Sequence, residues 1–189
     1  MMTGLLLIAA ALILVLYNMW DGNRAKKASD KILEKLEAVT AEEKPGIPGY
    51  DAPDKEMPAE EIDGWLYIGT LDIPSLGLRL PVMQDWDYER LKVSPCRYTG
   101  SYYADDMVIC AHNYTGHFGP IKGIDVGADI YFTAVDGKVY HYQVSNRETI
   151  QPTDIEDMID STKEEWDMTL FTCNLDGQTR CAVRCVRVE

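Results

Sequence analysis

The sequence has few basic residues, and it lacks the paired cysteine spacing of a metal-binding module. Its 18 lysine and arginine residues stand against 31 aspartate and glutamate residues, which gives a formal net charge of −13. Nucleic-acid binding needs clustered basic side chains to hold the phosphates, so this balance argues against a nucleic-acid partner. Five cysteines and three histidines are present, but no CxxC pair, and the scattered acidic residues are typical of a solvated surface. We therefore expect neither a metal nor a cofactor.

The cysteine count is odd, which leaves at least one thiol unpaired unless another chain takes part. Cys181 and Cys185 lie four residues apart in a β-rich run, a spacing that predicts two small core residues on one strand face. The sequence leaves open whether Cys96 and Cys110 pair with each other. Cys173 is the candidate for a reactive thiol.

Residues 1–20 contain no charged side chain, and Leu5 to Tyr17 is almost entirely aliphatic. This length is near the roughly 20 residues that cross a bilayer. A cleaved signal peptide is the alternative, but there is no basic segment before the apolar run and no small-x-small cleavage site near its end. Tyr17 and Trp20 suit a membrane interface. We predict a transmembrane anchor at 1–20 and a single-pass cell-membrane protein whose remaining domain is extracellular.

The charges that follow the anchor conflict with that orientation. Arg24, Lys26 and Lys27 come after the span and nothing basic precedes it. The positive-inside rule would therefore keep the rest of the chain in the cytoplasm. Long downstream domains translocate despite such charges, so the conflict does not decide the orientation.

Residues 21–61 are predicted to connect the anchor to a folded domain. From about Ala25 to Ala41, four apolar residues recur at helical spacing among charged ones, which predicts a juxtamembrane helix that packs loosely on the domain. Glu42 to Glu61 contains four prolines and two glycines, a composition typical of a linker. The domain boundary therefore falls near Glu61.

Residues 62–189 change to short β-rich runs separated by turn residues. Met107 to Ala111 is a continuous buried-strand pattern, and Asp136-Gly137 between two alternating runs predicts a tight hairpin. Between Pro152 and Trp166 the pattern loosens into a short helix or loop. Many short strands at this spacing predict a mostly β domain that closes into a barrel with little helix.

Three residues combine into a possible catalytic group. Cys173 ends one predicted strand and Arg180 opens the next, so a hairpin-like return brings a cation towards a thiol. His112 follows the buried run Met107 to Ala111 directly, so a rigid strand delivers its imidazole to a sheet edge. His117 lies in the following loop, where it would line a cleft.

These residues resemble the sortases, the cysteine transpeptidases of Gram-positive cell surfaces. Members of that family carry the nucleophile in a Leu-x-Thr-Cys context, and Leu170-Phe171-Thr172-Cys173 matches it. His112 at a strand end and Arg180 leading into a final valine-rich strand complete the pattern. The similarity covers Gly64 to Glu189, and the N-terminal anchor also fits. The sequence does not assign a sortase class.

The resemblance implies a closed eight-stranded β-barrel with short helices, preceded by the transmembrane helix and linker. It also implies that Cys173 attacks the backbone carbonyl of an LPxTG-like sorting signal at the C-terminal end of a surface protein. A thioester would form, and an amine from a peptidoglycan precursor or a pilin lysine would resolve it, with hydrolysis as a side reaction. No hydrophobic segment follows the barrel, which favours a wall-anchoring or single-substrate role over pilin polymerisation.

The resemblance further implies a role for each site residue. His112 would act as general acid and base, and Arg180, with the backbone N–H of Asn174, would stabilise the oxyanion. Thr172, Asn174 and His117 are expected to contact the substrate. The segment from about 150 to 166 corresponds to the loop that shapes the substrate groove.

Two other functions compete with this interpretation. An L,D-transpeptidase also has a histidine before a cysteine, but its nucleophile lies in a Ser-x-Gly-Cys-Arg context that Thr172-Cys173-Asn174 does not match. The second alternative is a membrane-tethered β-barrel that only binds a partner, with Cys173 as a structural thiol. Comparing the reactivity of Cys173 and Cys181 separates this alternative from an enzyme.

Overall fold

A computed structural model describes residues 2–40, 55–160, 166–174 and 177–188, which form a long N-terminal helix followed by a β-barrel. The helices are α1 (Met2–Thr40), α2 (Tyr88–Leu91) and α3 (Ile155–Ile159). The strands are β1 (Glu60–Ile62), β2 (Trp65–Ile73), β3 (Leu78–Met83), β4 (Cys96–Thr99), β5 (Met107–Cys110), β6 (Asp129–Ala134), β7 (Val139–Ile150), β8 (Met168–Cys173) and β9 (Arg180–Arg187).

Among the described residues, eight strands close the barrel in the order β2, β3, β4, β5, β8, β9, β7 and β6, and β6 pairs back onto β2. β1 adds a short hairpin at one end of β2. Gly69 permits the closure, because a Cβ at this position would lie 2.3 Å from the carbonyl oxygen of Thr133 on β6. The predicted mostly β, eight-stranded closed barrel is confirmed.

Apolar side chains from alternate strand positions fill the barrel interior. Cys181 and Cys185 belong to this interior cluster, as the spacing predicted. Cys96 and Cys110 are register partners on β4 and β5, and both are buried free thiols. Two further apolar clusters lie on the outer surface of the barrel, one under α1 and one under the segment that contains α3.

The anchor and the juxtamembrane helix, predicted as two segments, form one continuous helix in the structure. Side chains from Leu5 to Trp20 are largely exposed, whereas Ala25, Ser29, Ile32 and Leu36 are buried. The spacing of these four residues alternates between four and three, so they form one stripe on the helix. Ile32 and Leu36 join the outer cluster on the barrel. The second half of α1 is therefore packed onto the barrel, and the prediction of loose packing is wrong.

Two predicted segments fall partly outside the described residues. Most of the linker predicted from Glu42 to Glu61 lies in 41–54, for which the structure gives no description. Its described end enters β1 at Glu60, whose backbone is the register partner of Tyr67. In the stretch from Pro152 to Trp166, α3 supplies the predicted short helix, and 161–165 are outside the described residues.

Candidate active site

The ends of β5 and β8 and the start of β9 meet at one edge of the barrel. Cys173, the last residue of β8, lies directly opposite Arg180, the first residue of β9. β5 and β8 are parallel, and a 3.2 Å hydrogen bond from Ala111 N–H to the Phe171 carbonyl continues their register towards His112. Neighbouring strands lie roughly 4.8 Å apart, so this register places His112 and Arg180 on either side of Cys173.

Thr172 joins the two strands that carry the histidine and the cysteine. Its side chain is 1% exposed, and its hydroxyl donates a 2.8 Å hydrogen bond to the carbonyl of Ala111, directly before His112. Because side chains alternate along a strand, Thr172 faces the interior and Cys173 faces outward. The structure therefore gives Thr172 a role in aligning β5 with β8, whereas the sequence predicted a substrate contact.

Cys173 differs from the other four cysteines in its exposure. All five lie in the described part of the chain, where Cys173 is half-buried and the others are buried. Burial raises the pKa of Cys110 to about 12, and it also raises the pKa values of Cys96, Cys181 and Cys185. Those four thiols are poor nucleophiles at neutral pH, because the thiolate is the reactive form.

His112 is half-buried, and the surrounding protein favours its neutral form. Removal from water lowers the pKa of the imidazole, and the charge of Lys92 acts in the same direction. The carboxylate of Asp21 on α1 opposes both effects. The ring packs against that of Tyr114, with 4.9 Å between ring centroids. A neutral imidazole beside a thiol is able to accept its proton.

The turn between β8 and β9 uses the backbone of Asn174. The N–H of Asn174 donates to the Thr179 carbonyl at 2.9 Å, and its side-chain amide donates to the Thr179 hydroxyl at 2.8 Å. The expectation that this N–H contributes to an oxyanion site is not met, because the hairpin closure already uses it. Within the described residues, the half-buried guanidinium of Arg180 donates to the carbonyls of Thr179 and Gly177, at 3.2 and 3.5 Å.

His117 does not line a cleft in this structure, because α1 lies over the loop that carries it. Its side chain has no exposed area, and burial lowers its pKa to about 4. Neither ring nitrogen makes a hydrogen bond to a described residue. The nearby backbone of Ala25 acts to raise the pKa of the ring, but burial outweighs this effect. The described geometry makes His117 a buried neighbour of Tyr114, whose ring centroid is 5.6 Å away.

Arg184 is an important residue that the sequence did not reveal. It lies on the same outer face of β9 as Arg180 but is only 1% exposed. Its guanidinium donates to Glu148 at 2.6 Å, to the Thr169 hydroxyl at 2.8 Å, and to the carbonyls of Asp157 and Met158. It also lies 4.9 Å from the centre of the Trp166 ring.

The contacts of Arg184 fasten the segment between β7 and β8 to the barrel. Met158 and Trp166 from this segment pack on Val108 and Ala182, which belong to the outer faces of β5 and β9. Phe171, which faces outward two residues before Cys173, packs against the same cluster. The described parts of this segment, 151–160 and 166–167, therefore lie beside the row that contains Cys173.

A cavity lies elsewhere on the molecule, between the end of α1 and the barrel. Its lining includes Thr40, Thr70 and Arg79, and none of the six predicted site residues.

In the described ranges, no three histidine, cysteine, aspartate or glutamate side chains converge as a metal site requires. The structure thus brings together His112, Cys173 and Arg180 with Asn174 nearby, and it places Thr172 and His117 behind them.

Comparisons with known proteins identify the fold. The family described as Sortase domain matches residues 71–188 of this chain. A search of curated protein sequences gave no match. Similar solved structures include a sortase D5 transpeptidase from Clostridium perfringens, which is 18% identical, has a TM-score of 0.61, and aligns over 87% of this chain and 98% of that chain.

Two further sortase structures agree with this assignment. Sortase C1 from Streptococcus agalactiae is 25% identical with a TM-score of 0.58, and the alignment covers 68% of this chain and 71% of that one. A lid mutant of sortase A from Corynebacterium diphtheriae is 20% identical with a TM-score of 0.55, covering 85% and 93% of the two chains. Because the family match extends over more than half of the sequence, this chain belongs to the sortase family of transpeptidases.

Proposed function

We propose that this protein is a membrane-anchored cysteine transpeptidase that cleaves an LPxTG-like sorting signal and transfers the acyl group to an amine. Sortases act on surface proteins that carry sorting signals and on pilins. The observation that carries the proposal is the row of His112, Cys173 and Arg180 at the ends of three neighbouring strands. The acceptor is an amine of a peptidoglycan precursor or a pilin lysine.

The proposed reaction has two acyl transfers. His112 takes the proton of the Cys173 thiol, the sulfur attacks the scissile carbonyl carbon, and the carbon–nitrogen bond breaks as His112 gives that proton to the leaving amine. His112 then takes a proton from the incoming amine, which attacks the thioester and releases the Cys173 thiolate. Water in place of the amine gives hydrolysis. Arg180 stabilises the negative oxygen in both steps, because a guanidinium keeps its charge and donates in a fixed geometry.

We further propose that residues 1–20 span the membrane, that 21–61 connect this span to the barrel, and that 62–189 form the extracellular catalytic domain. The first half of α1 is long and apolar enough to cross a bilayer, and none of its apolar stretch is buried against the rest of the protein. Tyr17 and Trp20 form an aromatic pair at its end, with 6.1 Å between ring centroids. Two of the three basic residues beyond the span are paired on the helix, Arg24 with Asp21 and Lys26 with Asp30.

Trapping of the acyl-enzyme tests this proposal. The full-length chain in detergent micelles is incubated with a library of LPxTG-like peptides, and adducts on Cys173 are identified by mass spectrometry. Addition of an amine should discharge the adduct and yield the joined product.

Substitution of the nucleophile provides the decisive variant. We expect Cys173→Ala to fold normally and to form neither adduct nor product. Cys181→Ala removes a buried interior thiol and is the matched control, which should keep both. A Cys173→Ala protein that still joins a sorting peptide to an amine would contradict the proposal.

A further inference from the structure

The part of α1 that follows the apolar segment reaches the surroundings of His112 through one side chain. Asp21 comes directly after Trp20, and its carboxylate accepts a 2.5 Å hydrogen bond from the hydroxyl of Tyr114. Arg24 donates to the same carboxylate at 2.9 and 3.1 Å. The Tyr114 ring lies against the His112 ring, with 4.9 Å between centroids and 37° between planes. Two consecutive contacts therefore connect the helix to the imidazole.

The helix and the loop after β5 fit closely at this point. Gly22 lies against the Tyr114 ring, where an added Cβ would come within 3.9 Å. On the loop, a Cβ at Gly116 would lie 2.7 Å from the Cβ of Lys26, so only glycine allows this approach. Ala25 is completely buried at the same junction. The hydrogen bond between Asp21 and Tyr114 is thus made within a packed interface.

The charged and titratable groups around His112 come from several elements. α1 contributes the carboxylate of Asp21, the residue after α2 contributes Lys92, and the loop contributes Tyr114 and His117. β8 contributes the thiol of Cys173 in the neighbouring register position. Asp21 is the carboxylate that favours protonation of His112, and it lies on the helix rather than on the barrel.

We propose that Asp21 and Tyr114 are positioning residues that orient the His112 ring beside Cys173, so that the catalytic group is complete only when the anchor helix is docked on the barrel. This inference rests on the proposed role of His112. Tyr114 supplies the surface against which the imidazole packs, and Asp21 fixes Tyr114 through its hydroxyl. The carboxylate also favours the imidazolium that forms when His112 holds a proton.

Three variants of the full-length chain in detergent micelles test this. Tyr114→Phe keeps the ring and removes the hydrogen bond, whereas Asp21→Asn keeps a hydrogen-bond acceptor and removes the charge. Asp63→Asn is the matched control, because Asp63 pairs with Lys35 of α1 at 2.5 Å, in another contact between helix and barrel. For each variant, kcat and KM of transpeptidation are measured against pH. The titration of the three histidines is followed by NMR on chains labelled in histidine alone.

We expect Tyr114→Phe to lower kcat by roughly tenfold to a hundredfold with little change in KM, because a displaced catalytic group slows the reaction without weakening substrate binding. Asp21→Asn should move the titration of His112, and the matching limb of the pH profile, to lower pH. The direction follows because loss of a nearby negative charge disfavours the imidazolium. Asp63→Asn should behave as the unsubstituted protein in every measurement.

The inference is overturned if Tyr114→Phe and Asp21→Asn both keep the kcat and the His112 titration of Asp63→Asn. The NMR titration needs no activity, so it decides the question for Asp21→Asn even if Tyr114→Phe does not fold. His112→Ala separates this result from failure of the proposed function. If His112→Ala is inactive while the other variants are normal, only the positioning role falls; if it is fully active, the proposed catalytic role falls as well.

Discussion

Each flank of Cys173 has a half-buried basic side chain and a fully buried one of the same type, but the surroundings of the two buried side chains differ. On one side His112 is half-buried and His117 is fully buried behind it. On the other side Arg180 is half-buried and Arg184 is fully buried. The buried arginine contacts a carboxylate, a hydroxyl, two carbonyls and an aromatic ring. The ring nitrogens of the buried histidine make no hydrogen bond to any residue that the structure describes.

The difference follows from what each side chain can do with its charge. A guanidinium stays protonated in proteins, so its burial requires partners for both its charge and its donors. An imidazole can lose its proton on burial, and the pKa of His117 is lowered to about 4 in consequence. The contribution of the arginine flank to stability should therefore depend on its network of contacts. The contribution of the histidine flank should depend on pH.

The largest effect is expected from breaking the network of Arg184. Arg184→Met should lower the free energy of unfolding by about 3–5 kcal/mol, because it leaves Glu148 without this partner and removes a donor from the buried hydroxyl of Thr169. Urea unfolding of the full-length protein in detergent, followed by tryptophan fluorescence, measures the loss. Arg187 is the control on the same strand, since its guanidinium is partly exposed and pairs with Asp105 at 2.7 Å.

Arg187→Met should lower the free energy of unfolding by about 1 kcal/mol or less, as is usual for ion pairs open to solvent. Equal losses in the two variants would show that burial of Arg184 contributes nothing special to this flank.

The other arginine should affect the reaction and leave the fold unchanged. Arg180→Ala is expected to lower kcat/KM of transpeptidation by about 10²–10³-fold, which is typical of losing one oxyanion donor. Its urea midpoint and its rate of Cys173 alkylation should stay close to those of the unsubstituted protein. A variant that keeps its activity, or that unfolds as easily as Arg184→Met, would contradict the division of labour between the two arginines.

On the histidine flank the expected effect appears only at acidic pH, as a dependence of stability on pH. The folded state keeps His117 neutral down to about pH 4, whereas the unfolded state protonates it near 6.5. The unfolded state thus binds the proton more tightly, and stability should fall by about 3 kcal/mol as pH decreases from 6.5 to 4. Above pH 6.5 this contribution is fully present.

Urea unfolding at several pH values between 4 and 7 measures this slope. His117→Phe keeps an aromatic ring beside Tyr114 and should remove most of the slope. His141 lies on the barrel surface, where it stacks on Tyr131, and His141→Gln should keep most of it. The expectation fails if His117→Phe retains the full slope of the unsubstituted protein.

Much of the barrel was predictable because its strands carry local signals. The hairpin at Asp136-Gly137 is an example, since a glycine is needed at the φ of 84° observed for Gly137. β4 (Cys96–Thr99) was missed, because its four residues are too few for an alternating pattern. The position of His112 and Cys173 at strand ends was visible in the sequence. Their adjacency depends on the parallel pairing of β5 with β8, which no local pattern specifies.

The supporting residues of the site were not predictable for the same reason. Arg184 is buried only because Glu148 and Trp166 come to it from β7 and from the segment before β8. Asp21 and Tyr114 are 93 residues apart in sequence, so their hydrogen bond has no sequence signal. Thr172 was recognised as part of the site, but its inward direction became clear only with the hydrogen bond to the Ala111 carbonyl.

The continuous α1 helix has a consequence for which substrates can be reached. In the proposed anchored state no flexible tether separates Trp20 from the docked residues, because the helix runs unbroken from Met2 to Thr40. Asp21 lies one position beyond Trp20, a rise of about 1.5 Å along the helix, and two contacts lead from it to His112. In that proposed state the edge that carries Cys173 would be held at a fixed, low height above the bilayer. Peptides would be sorted by how near to the membrane they present the scissile bond, in addition to the sequence around it.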